Sequence, residues 1–276
     1  MCGILGFFDN HGDVQPKFDD LLDTLKNRGP NDRGVWVSED RKIFLGHTRL
    51  SVIDLSKNGK QPMISSNQRY IIVYNGEIYN FLEIKKNLKK KFKFVTESDT
   101  EVLLKSYILY GDKCVEHFNG MWSFAIWDSK KKKLFLSRDP FGEKPLYFAR
   151  SKNKFIFGSE IKFIRSLSED KFKINRNLIN KNLFLGYKSL HKNNQTFYEN
   201  IFSAKNGENM FIDSNLNIKK EIYWKPKLSV DNKMSYEDAI TSTRDILCKS
   251  LKLRLNADVP IAFCLSGGID SSLLAS

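Results

Sequence analysis

The sequence predicts an α+β protein: a core of mainly antiparallel strands under a few helices, followed by the opening of a second, α/β unit. Three observations predict it. Strand-length apolar runs come in pairs across short polar turns, at residues 122–127 with 133–137 and at 146–150 with 155–159, which is how hairpins read. Between strand candidates stand capped segments whose apolar residues recur at helical spacing. Near the end, the apolar run 259–265 breaks into Ser266-Gly-Gly-Ile-Asp-Ser-Ser and a fresh helical start, giving strand, glycine loop and helix in succession.

The elements follow in order. Residues 3–8 form a strand-length apolar run stopped by the turn-like Asp9-Asn10-His11-Gly12. Pro16 opens a helical pattern with Phe18, Leu21, Leu22 and Leu25 on one face, ended by Arg28-Gly29-Pro30. Strand runs recur at 34–38, 43–50 and 70–74, the last leading into Asn75-Gly76, a dipeptide that by itself reads as a tight turn. A helix with Phe81, Ile84 and Leu88 inward comes next. Ser98-x-x-Glu101 is a capping box for another, with Gly111 at its stop. After the two hairpins, composition between about 166 and 225 shifts toward Asn, Lys and Ser, with short strand candidates at 196–202 and 209–213. Ser235 and Asp238 then cap a helix carrying Ile240, Leu247, Leu251 and Leu255 on one face.

Composition bounds the function. The chain has 276 residues, 41% of them hydrophobic and 28% charged, enough for one large or two ordinary domains with a full core. No stretch approaches the roughly 18 apolar residues of a membrane helix, and the N-terminus lacks the basic lead of a secretory signal. Cys2, Cys114, Cys248 and Cys264 lie far apart with no C-x-x-C pair, so neither a disulfide framework nor a zinc site is expected, and a reducing cytoplasm is. The net charge of +13 is spread along the chain. Its densest runs, Lys89–Lys91 and Lys130–Lys133, fall at expected turns without any nucleic-acid motif, which favours solvated loop lysines over a polymer-binding face.

Several residues have chemistry in reach. Cys2 follows the initiator Met, so loss of Met1 would place a thiol and a free α-amine on one residue, the amine with an ordinary pKa near 7.7–8.0 and able to act as base. Arg49 carries a fork matched to a carboxylate, although a surface ion pair is the plainer reading. Asp99 stands in the first turn of a capped helix, where the dipole favours an acid whatever its use. The Ser266-Gly267-Gly268 loop can turn N–H groups and hydroxyls toward a pyrophosphate, and Asp270 can hold Mg2+ on it.

Taken together, Cys2-Gly-Ile-Leu-Gly, Arg28-Gly-Pro, Gly46-His-x-Arg-Leu-Ser-Val-Ile-Asp54, Gln61-Pro-Met, Tyr74-Asn-Gly-Glu-Ile-Tyr-Asn80, Ser98-Asp-Thr-Glu101, Phe118-Asn-Gly-Met and Arg138-Asp-Pro-Phe-Gly-x-Lys-Pro-Leu-Tyr147 stand in the order seen in class II glutamine amidotransferases. With Asp258-Val-Pro and Leu265-Ser-Gly-Gly-Ile-Asp-Ser-Ser272 after them, the chain most resembles the glutamine-hydrolysing asparagine synthetases. The resemblance implies a four-layer αββα glutaminase domain of the N-terminal-nucleophile type over residues 1–215, a linker at 216–234, and the incomplete start of an ATP-pyrophosphatase domain at 235–276.

By the same resemblance, Cys2 attacks the glutamine side-chain amide, and Asn75 and Gly76 supply the two oxyanion donors. Arg49, with Leu50, Ser51, Val52 and Ile53, receives the α-carboxylate end, while Glu77 and Asp99 receive the α-ammonium. Leu265 lies near the nucleotide base, Ser266, Gly267, Gly268, Asp270 and Ser271 hold ATP, and Asp270 binds Mg2+. The implied overall reaction turns aspartate into asparagine through β-aspartyl-AMP, so the expected partners are glutamine, aspartate and ATP, without nucleic acid or membrane. Homodimerisation is left open. Two alternatives stand beside this: another carboxylate acceptor, or an inactive glutamine-binding module.

Departures from the family pattern include Asn27-Arg-Gly-Pro-Asn31, where relatives usually carry His and Asp at the two ends, and Ala204-Lys-Asn-Gly207 at a turn. A chain ending at Ser276 is expected to be truncated, with Ile261, Phe263, Leu273 and Leu274 exposed.

Overall fold

A computed structural model of the protein describes residues 1–12, 17–151, 153–167, 172–186, 194–230 and 233–276. Its strands are β1 (Gly3–Asp9), β2 (Asp32–Val37), β3 (Ile43–Arg49), β4 (Met63–Ile64), β5 (Tyr70–Ile78), β6 (Gly120–Asp128), β7 (Lys133–Arg138), β8 (Tyr147–Arg150), β9 (Lys154–Gly158), β10 (Phe202–Ser203), β11 (Glu208–Ile212) and β12 (Ile218–Ile222). Its helices are α1 (Phe18–Asp23), α2 (Phe81–Leu88), α3 (Asp99–Tyr110), α4 (Ile161–Leu167), α5 (Arg176–Leu185), α6 (Tyr236–Arg254) and α7 (Ile269–Ala275).

Strand alternation explains the layers. In β1, Ile4 and Phe8 point one way and Leu5 and Phe7 the other, and all four are buried, so β1 is covered on both faces. The same holds for β5, where Ile71 and Val73 oppose Ile72 and Tyr74. One sheet runs β10-β8-β9-β1-β3-β2 and the other β12-β11-β7-β6-β5-β4, antiparallel throughout. Ile4, Phe8, Ile43 and Leu45 of the first sheet meet Ile71, Val73, Trp127 and Leu136 of the second in a shared core. Outside the second sheet, Phe81, Ile84 and Leu88 of α2 and Val102 and Leu103 of α3 close a second core. Outside the first, Leu21, Leu22 and Leu25 with Phe163 and Ile164 of α4 close a third. The order helix, sheet, sheet, helix is the expected αββα arrangement.

Several local expectations are corrected. Asn75-Gly76 forms no turn: β5 runs straight through it, with Asn75 opposite Ser123 and Gly76 opposite Trp122 on β6. A β-carbon on Gly76 would collide with the Met121 carbonyl, so this dipeptide is set by strand packing rather than by turn chemistry. The α3 cap is also one-sided. Ser98 accepts from Thr100 N at 3.1 Å, but Glu101 reaches back to the Val95 and Thr96 amides instead of closing the box.

The stretch 166–225, read as tail and linker, contains α5 and the edge strand β12. Of residues 196–202 only Phe202 enters a strand, β10, while Tyr198 makes an isolated bridge to Ile174. Residues 259–265 form no strand, because no described neighbour pairs with them. Ile261, Phe263, Leu273 and Leu274 are exposed. Pro16 and the Phe18 side chain lie outside the described residues. Among the described residues no helix is long and apolar enough to cross a membrane.

Candidate functional site

Cys2 stands just before β1, beside the end of β3. Arg28 fixes it there, donating from Nε to the Cys2 carbonyl at 2.9 Å while pairing with Glu160 at 3.4 Å. The Leu50 amide donates to the Cys2 sulfur at 3.3 Å, and the sulfur faces the Leu50 carbonyl at 3.5 Å. Burial pushes the thiol pKa up, while the Leu50 N–H and the N-terminal ammonium pull it back. Burial also lowers the pKa of the N-terminal amine, which in this chain belongs to Met1, so a larger fraction of it is neutral and able to take a proton.

The sulfur opens onto a cleft of about 580 Å³ lined by Cys2, Arg49, Leu50, Val52, Ile53, Asn75, Gly76, Glu77, Asp99 and Lys144, among others. Nine residues singled out in the sequence thus line one cleft. Ser51 does not line it; its amide donates to Asn31 Oδ1 at 3.0 Å. Asn31 therefore supplies an acceptor at its departure from the family pattern, bracing the loop from behind.

Asn75 carries the most telling feature. It is 1% exposed, and its Nδ2 has no hydrogen-bond partner among the described residues. A buried amide donor without a partner costs about 1–3 kcal/mol unless something outside the chain uses it. The peptide beside it is held from two sides: Gln61 Oε1 accepts the Tyr74 N–H at 2.6 Å, and His47 Nε2 meets the Tyr74 carbonyl at 3.1 Å. Burial drops the His47 pKa to about 4, so the ring is neutral and donates from Nε2.

Two acids belong to the same lining. Asp99 Oδ2 accepts from the Tyr74 hydroxyl at 2.8 Å and from Ile78 N at 3.1 Å. Burial, reinforced by the nearby Glu77, pushes its pKa up to about 6 against those two donors. Glu77 is raised as well, chiefly by burial, with Lys144 opposing. Two carboxylates that discourage each other's charge form a place where a cationic ligand is stabilised.

Arg49 is deeply engaged. Its guanidinium donates to the carbonyls of Ser56 at 2.8 Å, Ile53 at 3.5 Å and Asp54, and Gly59 packs against it where no side chain would fit. Asp54 knots the same loop: Oδ1 accepts from Ser56 N at 3.0 Å and Oδ2 from Glu97 N at 3.0 Å. Its backbone is left-handed, with φ of 56°, which an aspartate tolerates better than most residues.

Lys144, Gln61 and His47 went unassigned in the sequence, although each lies in a quoted motif. Lys144 is positioned by the loop after β7. The fully buried Asp139 carboxylate accepts the amides of Phe141, Glu143 and Lys144 at 3.1, 2.9 and 3.0 Å. The Lys144 ammonium, 7% exposed, has its pKa lowered by burial, and the neighbouring Glu77 and Cys2 oppose that.

A family model described as a glutamine amidotransferase domain matches residues 1–224. The chain belongs to that family. A second model, described as asparagine synthase, matches residues 242–276. Among relatives, the putative asparagine synthetase [glutamine-hydrolyzing] 2 of Methanocaldococcus jannaschii is 38% identical over 99% of this chain and 56% of its own length. Asparagine synthetase [glutamine-hydrolyzing] 3 of Bacillus subtilis is 36% identical over 100% of this chain and 45% of its own. The chain thus spans about half the length of these relatives. In fold it resembles the glutamine phosphoribosylpyrophosphate amidotransferase of B. subtilis, with a TM-score of 0.57 at 18% identity over 82% of this chain and 50% of that one. The amidotransferase fold accounts for residues up to Trp224, which packs on Phe141 with ring centroids 5.1 Å apart.

The remaining predicted residues form a separate group at the start of α7. The hydroxyls of Ser266 and Ser271 face each other at 3.0 Å, the Gly268 amide donates to Ser266 Oγ at 3.3 Å, and Gly267 has φ of 79°. Hydroxyls and an amide converging on one point suit a phosphate oxygen. Leu265 beside them is 63% exposed. Among the described residues no cluster of His, Cys, Asp or Glu gathers as a metal site, so at Asp270 phosphate oxygens and water would have to complete a cation's shell.

Proposed function

We propose that this chain hydrolyses glutamine to glutamate and ammonia at Cys2. The unpartnered Asn75 amide in the wall of the Cys2 cleft carries this reading. Glutamine lies with its α-ammonium against Glu77 and Asp99 and its α-carboxylate toward Arg49 and the loop from Leu50 to Ile53, so that the side-chain amide reaches the sulfur. Cys2 Sγ attacks the amide carbon as its proton passes to the terminal α-amine. The carbonyl oxygen becomes an oxyanion that takes hydrogen bonds from Asn75 Nδ2 and the Gly76 N–H. The amine returns the proton to the leaving nitrogen, releasing ammonia and a γ-glutamyl thioester. Water attacks the thioester, its proton returns to sulfur, and glutamate leaves. Removal of Met1 gives Cys2 this amine directly.

In the protein of which such a chain forms part, the ammonia amidates a carboxylate, with aspartate as the leading acceptor. ATP supplies the activation of that carboxylate. Ser266, Gly267, Gly268 and Ser271 would hold its phosphates, Asp270 the Mg2+ on them, and Leu265 the base side. The asparagine synthase match at residues 242–276 supports this half of the reading.

The deciding experiment compares glutamate release by the purified chain and its Cys2→Ala variant, with intact mass recorded for Met1. Release that depends on Cys2 is expected. Glutamine binding without turnover by the processed, folded chain would instead mark a binding module. A panel of carboxylates offered with ATP and glutamine to the longer protein separates aspartate from other acceptors.

A further inference from the structure

The end of α6 and the segment that follows it bond to residues at or next to the lining of the cleft. Arg254 Nη1 donates to the Tyr79 hydroxyl at 2.8 Å, its guanidinium lies 4.7 Å from the Tyr79 ring centroid, and it pairs with Glu143 at 3.4 Å. Tyr79 follows Glu77 by two residues, and Glu143 precedes Lys144. Further along, the Asp258 amide donates to the Val52 carbonyl at 2.9 Å, and Asp258 Oδ2 accepts the Asp54 N–H at 2.8 Å. The two bonds bracket Ile53, whose carbonyl also receives Arg49.

We propose that Asp258 is a positioning residue for the glutamine loop, a two-point clip that fixes Val52, Ile53 and Asp54 against the cleft. The inference rests on the reading of the cleft as the glutamine site. A single bond would hold the loop at one place. Two bonds on either side of Ile53 fix its orientation as well, which matters where backbone groups meet a substrate. The left-handed Asp54 is the residue that needs such help. Its side chain and carbonyl are tied to Ser56, Glu97 and Arg49, and among the described residues its amide donates to Asp258 alone. Arg254, four residues earlier, anchors the same short segment through Tyr79 and Glu143.

The test compares the whole chain with its Asp258→Ala and Asp258→Asn variants. Alanine leaves the Asp54 amide without its acceptor, and KM for glutamine is expected to rise about tenfold, the effect of one lost hydrogen bond to a charged group, while kcat stays within about twofold. Alkylation of Cys2 by iodoacetamide, which needs no glutamine loop, stays unchanged. Asparagine keeps a carbonyl acceptor and returns KM to within about twofold of the parent. Hydrogen exchange at the Asp54 amide speeds up in the alanine variant and not in the asparagine one. An unchanged KM in the alanine variant, with or without faster exchange, overturns the proposal, as does loss of kcat and KM together with a lowered Tm. If the parent itself shows no Cys2-dependent turnover, the glutaminase reading fails instead, and the exchange comparison decides the clip alone.

Discussion

The Tyr74 hydroxyl donates to Asp99 Oδ2 at 2.8 Å, joining the strand that carries Asn75 to the first residue of α3. This bond ties the strand of the proposed oxyanion donor to the acid proposed to receive the substrate's ammonium. It also partly offsets the burial that raises the Asp99 pKa to about 6.

Glutamine binding should therefore weaken in mild acid. Asp99 must be ionised to pair with an ammonium, so KM rises about tenfold for each pH unit below roughly 6 while kcat changes less. Tyr74→Phe removes a donor to the charged form and moves this rise to higher pH. A KM profile flat between about pH 5 and 8 in the parent would refute the assignment.

Asn75→Ala should lower kcat by about 10² to 10³, the usual consequence of losing one oxyanion donor. Because the amide nitrogen has no partner among the described residues, Tm should hardly change. A fall in activity accompanied by a large fall in Tm would point to a structural role instead.

Lys144→Met should slow alkylation of Cys2 at neutral pH by about threefold to tenfold and shift its pH profile upward, since a nearby ammonium favours the thiolate. The stability of the variant should equal or exceed the parent's, because an ammonium is no longer held out of water. An alkylation profile identical to the parent's would remove Lys144 from the environment of the sulfur.

His47 gives a prediction of opposite sign to Asp99. Its folded pKa of about 4 lies below the ordinary value near 6.5. Its neutral form therefore contributes stability that is complete above about pH 6.5 and is lost as pH falls toward 4, in total roughly 3 kcal/mol. Asp99, with a raised pKa, favours the fold at low pH and loses that contribution as pH rises through about 6. Denaturant midpoints of the parent and His47→Gln, taken between about pH 4 and 7, isolate the histidine share, and parallel curves would contradict it.

How far the sequence was legible depends on whether the signal is local. The β6–β7 and β8–β9 hairpins, and the inward faces of α2 and α3, follow from spacing alone. By contrast, α5 buries only Leu178 and leaves Leu183, Phe184 and Leu185 exposed, so its pattern carries no amphipathic face. The edge strand β12 is Ile-Lys-Lys-Glu-Ile, three of its five residues charged on an exposed edge, and it forms because β11 offers hydrogen bonds. Asn75-Gly76 misreads as a turn because its conformation is set by β6, more than forty residues away. At the site, Cys2, Asn75, Glu77 and Asp99 were legible as motif residues. Lys144 was not, since only the folded loop around Asp139 turns a common surface residue toward a sulfur.

The straight passage of β5 through Asn75 and Gly76 has a consequence for the ageing of the molecule. Asparagine followed by glycine is chemically the least durable of dipeptides, because the glycine nitrogen can attack the asparagine side-chain carbon, expel ammonia and leave aspartate or isoaspartate behind. That attack needs a backbone conformation far from a strand's, and pairing with β6 holds Asn75 and Gly76 extended. Deamidation would replace a donor by a carboxylate at the point where negative charge must gather. The folded protein should thus keep its mass at Asn75 through long storage, whereas prolonged unfolding at neutral or alkaline pH should add one dalton there and end activity for good, so the working life of the centre is that of the strand.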